Sequence, residues 1–519
     1  MKRRLLNFLP LIIIAAVVFL GSCSKEIIDR TSTFQALKPS NEDVNADTWK
    51  TVLIANPAAF TVAAPDAINS AAYTADVNEV KSYQNNLSDD QKAIIAYWRA
   101  GAVLRWNEIL RDLVAKYNLP PYQNPDGTYP FPSSANPFAY PEFPFSNPPY
   151  AARAYAYVSA AQYDALVTAY HFKNLYKRAA VYKNVPSIVP VTPKSSLYSY
   201  PSEDAVVAGA TVEMLKFLFP TEVNYIQQKA NEEMQYRIMA GANVRGELTA
   251  GQTLGSQVAD VFVARGKTDR AGKAIGSAPV WLALQNNATS RGDQYWTSLE
   301  TPARPPMLPL FGKVLPFLFD TLTVVSLRPA PPFVAGSDAF KAEVAEVLSY
   351  SKNPTREHQA QVEFWADGAG TYTPPGHWNA IAETEFVQQN YSEVRWARNY
   401  ALLNIAEMDA AICCWDTKYF YFNMRPSQAD PQIKTLTGIP NFPSYTSGHS
   451  NFSGAAAAVL TYLLPDRGSK FNDLAQQASM SRLFGAIHYR SDCQVGLITG
   501  AKVGQYAVQW AQSDGAGIK

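Results

Sequence analysis

Charge of one sign is missing from this sequence: 45 Lys and Arg stand against 44 Asp and Glu, leaving +1 over 519 residues. With no Lys/Arg-rich stripe after the first few positions, it lacks the electrostatic footprint that a polyanionic backbone requires, so nucleic acid is not expected as a partner. Cysteine is scarce too. Four cysteines, two of them adjacent at Cys413 and Cys414, give neither a disulfide framework nor a zinc spacing. Cys413, Cys414 and Cys493 read as buried thiols. Strand-like alternation between hairpin turns is also rare, with VVSLR and YKNVPSIVPV the only modest candidates. The one apolar run noted, near the N-terminus, is at the short end for a membrane span.

What is present is apolar mass. At 47 % apolar and 17 % charged, the chain can bury a large core and is globular, with one large or two medium domains. The expected regions are 41–330 and 331–519, divided in SLRPAPPFVAG. Ahead of them, Lys2, Arg3 and Arg4 precede an apolar run from Leu9 to Leu20, the order of an export signal. Leu20-Gly21-Ser22-Cys23 resembles the bacterial lipoprotein cleavage box. That resemblance implies a signal peptide over 1–22, lipidation of Cys23 and a polar tether over 23–40, with the membrane reached through the lipid. A retained anchor is the alternative. Ser24 points to the outer membrane.

Helical patterning dominates the rest. Ser88-Asp-Asp-Gln91 has the form of a capping box, and Ile94, Ile95, Trp98, Val103, Trp106, Leu110, Leu113 and Tyr117 follow at helical spacing, predicting one long helix. Residues 119–149 are so rich in proline that an extended loop is expected. Further helices are expected over 151–177, 203–218, 222–240, 249–265, 339–349 and 378–400, then through IAEMDAAICCWDTKYFYFNM to Pro426. Alanine-rich segments at 451–464, 473–484 and 495–511 suit close helix packing. The expected fold is all-α.

Three segments carry chemistry. Lys418 and Arg425 lie seven apart, just under two helical turns, so both cations can converge on one point. Ser447-Gly448-His449 precedes a helix expected to start near Ser450, whose N-terminal amides and dipole favour an oxyanion on the Gly448 amide and the Ser447 hydroxyl. His449 then faces that anion. Asp492 follows His488 by four residues, close enough to accept a proton from the imidazole, fix its tautomer and leave the other nitrogen free. Arg482 precedes His488 by six residues, so a bend near Gly485 is needed to bring both to one anion. Buried cations in such density need an anionic counterpart.

K-x6-RP at Lys418–Pro426, SGHS at Ser447–Ser450 and SR-x5-H-x3-D at Ser481–Asp492 resemble the three signature motifs shared by vanadium-dependent haloperoxidases, type 2 phosphatidic-acid phosphatases and bacterial acid phosphatases. AICCWDTKYFYFNMRP, PNFPSYTSGHSNFSGA and FWADGAGTYTPPGHWNAI are similar to the haloperoxidase branch, with Thr446 in the place of its usual proline. The resemblance implies a helical-bundle fold and a vanadate cofactor. His488 would be its ligand and Lys418, Arg425, Ser447, Gly448 and Arg482 would neutralise its oxygens. His449 would act as acid–base, Lys418 would polarise bound peroxide, and Asp367 would hold Arg482. Trp415 and Phe442 would form an apolar halide pocket. Peroxide and halide would be the substrates.

The same residues also suit a phosphatase, with phosphate in place of vanadate: His488 would attack a phosphate ester and His449 would protonate the leaving oxygen. A non-enzymatic lipoprotein capturing glycans on exposed aromatics is a third class; it leaves the cation–histidine set unexplained. His377 is expected to line the entrance or support Asp367. His171 and His358 read as structural or surface residues. Nothing in the pattern specifies an oligomeric state.

Overall fold

Many helix starts are decided locally. Ser70, Ser88, Ser337, Thr355, Ser392 and Ser447 each stand just outside a helix in extended conformation and accept a first-turn backbone N–H through the side-chain oxygen. At Ser88 the capping box is complete, because Gln91 Oε1 also accepts the Ser88 N–H at 2.9 Å.

The computed structural model describes residues 34–118, 147–300 and 303–518. Helices α1 (Ala71–Tyr83), α2 (Asp89–Trp98), α3 (Ala102–Tyr117) and α4 (Pro148–Tyr176) come first. They are followed by α5 (Glu203–Leu218), α6 (Val223–Met239), α7 (Arg245–Thr268) and α8 (Ala278–Ser290). The remainder holds α9 (Asp338–Lys352), α10 (Arg356–Phe364), α11 (Thr373–Phe386) and α12 (Glu393–Tyr421), then α13 (Gly448–Leu463), α14 (Gly468–Phe484) and α15 (Arg490–Gln512). Among the described residues there is no strand, only an isolated bridge between Tyr295 and Asn423. Both strand candidates are helical in part, as Thr321–Ser326 and Val181–Asn184. No described helix is long and apolar enough to cross a membrane.

The frame is a pair of 29-residue helices, α4 and α12, packed along one another with nearly every side chain buried. Alanines at 151, 152, 154, 160, 161 and 165 keep the α4 surface low enough for α12 to lie close. On its other sides α12 meets α13 and α15. Those two helices touch at backbone distance: a Cβ built at Gly500 would fall 2.1 Å from the Asn451 carbonyl oxygen, so no larger residue fits. Arg395 and Arg398 in the first turns of α12 pair with Asp43 and Asp514, both at 2.6 Å, gathering both ends of the unit onto one helix.

Several expectations need correction. The helix expected from Ile94 to Tyr117 is two, broken at Gly101, whose φ of +124° puts the chain where only glycine is at ease. The Glu393 carboxylate then receives the free N–H groups of Ala102 and Val103, at 2.6 and 3.2 Å. The stretch 378–400 is likewise divided, and its second half continues unbroken through Tyr421. The expected boundary near residue 330 separates nothing, because α4 and α12 pack together and Ala36–Lys519 cluster as one unit. The far end of the expected tether is already part of that unit, with the Leu37 and Ser40 N–H groups bonded to Arg99 O and Asn390 O. Cys23, the signal segment and nearly all of the proline-rich loop lie outside the described residues.

Candidate active site

Lys418 occupies the last turn of α12, which stops where Phe422 turns left-handed (φ +53°) and returns its N–H to Lys418 O at 2.8 Å. Arg425 therefore does not share a helix with Lys418, as the seven-residue spacing suggested; it caps the short turn Pro426–Ala429 after the chain has reversed. The two cations meet for another reason. Lys418 Nζ donates to the carbonyls of Pro443 and Ser444, both at 2.8 Å. Arg425 donates from Nε to Phe442 O at 3.0 Å and from Nη2 to Pro443 O at 3.4 Å. Three consecutive carbonyls thus bracket both side chains.

The third piece arrives through the bend that the Arg482–His488 spacing required. Helix α14 ends at Phe484, Ala486 takes a φ of +59°, and His488 stands in the turn before α15. It is therefore not on one helical turn with Asp492, which lies in the first turn of α15. The contact forms all the same: His488 Nδ1 lies 2.8 Å from Asp492 Oδ2. The same oxygen accepts from Ser444 Oγ and from the Tyr489 N–H. With Nδ1 tied to a carboxylate, Nε2 carries the lone pair, and Arg425 Nη1 lies against it at 3.1 Å. Ser444 had no signal in the sequence, nor had the carbonyls of 442–444, since any residue carries a carbonyl.

Gly448 begins α13 and Ser447 caps it, the Ser447 hydroxyl accepting the Ser450 N–H at 3.4 Å. Trp415 lies beneath Gly448, and its ring centroid is 5.1 Å from that of Phe442. Lys418 Nζ sits 5.0 Å from the Phe442 centroid and 5.9 Å from that of Trp415. Asp367 departs from expectation: among the described residues no ion pair joins it to Arg482. Its Oδ1 instead lies 3.0 Å from His377 Nδ1 and its Oδ2 3.6 Å from His449 Nε2. Arg482 donates to Val362 O and to Ser481 Oγ, at 3.2 and 2.8 Å. His358 stacks on Phe484 and His171 lies edge-on to Phe172. The three thiols at 413, 414 and 493 are buried and free.

Burial governs the electrostatics. It pushes Lys418 down, and pushes Arg425 and Arg482 down to about 10. His488 is driven far below its ordinary value by burial and then by Arg425 and Lys418, so it stays neutral. Burial and Arg482 take His449 down to about 4 against the opposing pull of Asp367. Burial alone would raise Asp367, but its two histidine contacts outweigh that and hold it at about 2. Burial raises Asp492 despite the Ser444 bond and nearby Lys418.

One contrast defines the site. The other buried basic side chains, Arg105, Arg153, Lys173, Arg395 and Arg398, each lie within 4.0 Å of a carboxylate. Lys418, Arg425 and Arg482, all at most 1 % exposed, have none within that distance among the described residues. Desolvating a cation without a counter-charge costs several kcal/mol, so a buried set of this kind is suited to an anion. No group of three or more His, Cys, Asp or Glu among the described residues could hold a metal cation. A tetrahedral oxyanion suits one imidazole nitrogen, three cations and a helix N-terminus.

Known proteins share this arrangement of chain. Residues 399–515 match the family model of the PAP2 superfamily. A 152-residue stretch is 30 % identical to vanadium chloroperoxidase of Curvularia inaequalis, covering 23 % of this chain and 25 % of that protein. The chain therefore spans about a quarter of the length of that relative. A bacterial vanadium-dependent iodoperoxidase superposes with a TM-score of 0.58 at 21 % identity, over 78 % of this chain and 96 % of its own. A bacterial vanadium-dependent chloroperoxidase does so with a TM-score of 0.51 at 15 % identity, over 74 % and 96 %. Residues 399–515 are thus similar to the PAP2 superfamily, and the chain has the all-α fold of the bacterial vanadium haloperoxidases.

Proposed function

We propose that the protein is a vanadium-dependent haloperoxidase that oxidises halide with hydrogen peroxide. The observation that carries this reading is the trio Lys418, Arg425 and Arg482, buried around a neutral imidazole with no carboxylate within 4.0 Å among the described residues. The donor set fits vanadate: His488 offers Nε2 while Asp492 fixes its tautomer, and the cations match the charge of an oxyanion. When bound, vanadate supplies the Lewis acidity that activates peroxide toward a halide.

The chain's own residues do the remaining work. Lys418, Arg425 and Arg482 hold negative charge in a dry site, where fixed cations act more strongly than in water. His449, neutral above about pH 4, takes or gives a proton at Nδ1 because Nε2 faces Asp367. Trp415 and Phe442 form an apolar wall beside Lys418, suited to a weakly hydrated halide. Leu20-Gly21-Ser22-Cys23 supports lipid anchoring at Cys23, and Ser24 supports an outer-membrane location.

The match of residues 399–515 to the PAP2 superfamily favours one alternative, a phosphatase. His488 Nε2 would bond to phosphorus as the ester P–O bond breaks, and His449 would protonate the leaving oxygen. Water would then displace the histidine, losing its proton to His449.

One paired assay tests both readings. Protein loaded with orthovanadate is given hydrogen peroxide and bromide or iodide, and halogenation of a phenol is followed; vanadate-free protein is given an aryl phosphate. Halogenation that His488→Ala abolishes is expected. Phosphate release dependent on His488 without halogenation would transfer the assignment to the phosphatase, and neither activity would overturn both.

A further inference from the structure

Asp367 stands between two histidines on different helices. Its turn follows the end of α10, and its backbone is left-handed at φ +45°, a conformation that aspartate tolerates better than most side chains. The carboxylate is 5 % exposed, with Oδ1 at 3.0 Å from His377 Nδ1 on α11 and Oδ2 at 3.6 Å from His449 Nε2 on α13. His377 is itself clamped: its ring stacks on Trp365 at 4.4 Å and lies edge-on to Phe364 at 4.9 Å. The imidazole cannot swing away without losing both contacts.

We propose that His377 is a positioning residue of the reaction, donating from Nδ1 to Asp367 so that the carboxylate faces His449 and holds that imidazole as its Nε2–H tautomer. This rests on the reading of His449 as the acid–base group. Asp367 has a competing partner, because Arg482 lies near enough for the two to stabilise each other's charge. Without the His377 bond the carboxylate is free to turn to the stronger cation, and His449 would lose its fixed proton.

The groups around this line are few. His449 lies against Asp367, feels the charges of Arg482 and His377, and acts on His488 across the site. Asp367 lies against the two histidines and its charge acts on Arg482 and Tyr372, while Glu363 acts on Arg482. Among the described residues, only His377 makes a short hydrogen bond to the carboxylate.

Two substitutions separate the hydrogen bond from the packing. His377→Phe keeps a ring against Trp365 and removes the donor, whereas His377→Asn keeps a donor near Nδ1 and removes the ring. Imidazole nitrogen resonances in vanadate-free protein report the tautomer directly, and five histidines in the chain keep assignment simple. The expected result is one Nε2–H tautomer at His449 in wild type and in His377→Asn, but a mixture in His377→Phe. Turnover by His377→Phe should fall about tenfold or more with KM little changed, and its pH profile should shift, with His377→Asn near wild type. An unchanged His449 tautomer in His377→Phe would overturn the inference. Since that readout needs no catalysis, an inactive wild type would sink the functional reading alone.

Discussion

Arg425 Nη1 rests 3.1 Å from Nε2 of His488, the nitrogen that would meet an incoming anion in the proposed reaction. A guanidinium donating to a lone pair that an electrophile will claim is a placeholder, and oxyanion binding should draw the cation onto oxygen. Orthovanadate or phosphate should therefore raise the melting temperature, with about 2.7 kcal/mol of stabilisation at a hundredfold excess over Kd. Arg425→Gln should lose most of that rise in a thermal-shift titration. An equal rise in the variant would count against the receptor.

Ser444→Ala isolates one support of His488. The Ser444 carbonyl that holds Lys418 is untouched, but Asp492 Oδ2 loses its hydroxyl donor. One neutral-to-charged hydrogen bond is worth about 1.5–3 kcal/mol, so turnover should drop roughly tenfold or more while oxyanion affinity changes little. Steady-state kinetics paired with an anion titration distinguishes the two effects.

His449 makes stability depend on pH in a defined direction. Its folded value of about 4 lies below the ordinary 6.5, so between those values the unfolded chain binds the proton and the folded chain does not. Stability should fall as pH drops from 6.5 to 4, by up to roughly 3 kcal/mol. Asp367, held at about 2 against an ordinary 3.8, adds a further loss at lower pH. Urea unfolding across this range should show a slope that His449→Gln flattens above pH 4.

Gly500→Ala tests the contact that carries the site. A methyl there would meet the Asn451 carbonyl at 2.1 Å and push apart α13 and α15, which hold His449 and Asp492. Overpacking of this kind costs typically 1–3 kcal/mol, visible as a lowered melting temperature, and turnover should fall with it. A variant as stable as wild type would mean that the two helices can separate freely.

Much of this was legible before any coordinates. Helical periodicity, serine caps and alanine-rich faces are local properties, and α5, read as 203–218, falls on those residues. Where local pattern alone was followed across a break, it failed: periodicity runs through Gly101, yet the backbone there cannot be helical. The Lys418–Arg425 spacing pointed to convergence for the wrong reason, since a left-handed Phe422 replaced the helical rise it assumed.

Residue types and order along the chain determined the inventory of this protein: its all-α fold, the cations, the two imidazoles and the glycine turn before α13. Those are matters of side-chain chemistry and short-range backbone preference. Only the tertiary structure decided the partnerships. That the carbonyls of Phe442, Pro443 and Ser444 bracket two cations, and that Asp367 faces two histidines and is not paired with Arg482, depends on segments up to 82 residues apart in sequence. Contacts over such separations are set by how α10 to α15 pack, and packing is a property of the whole core.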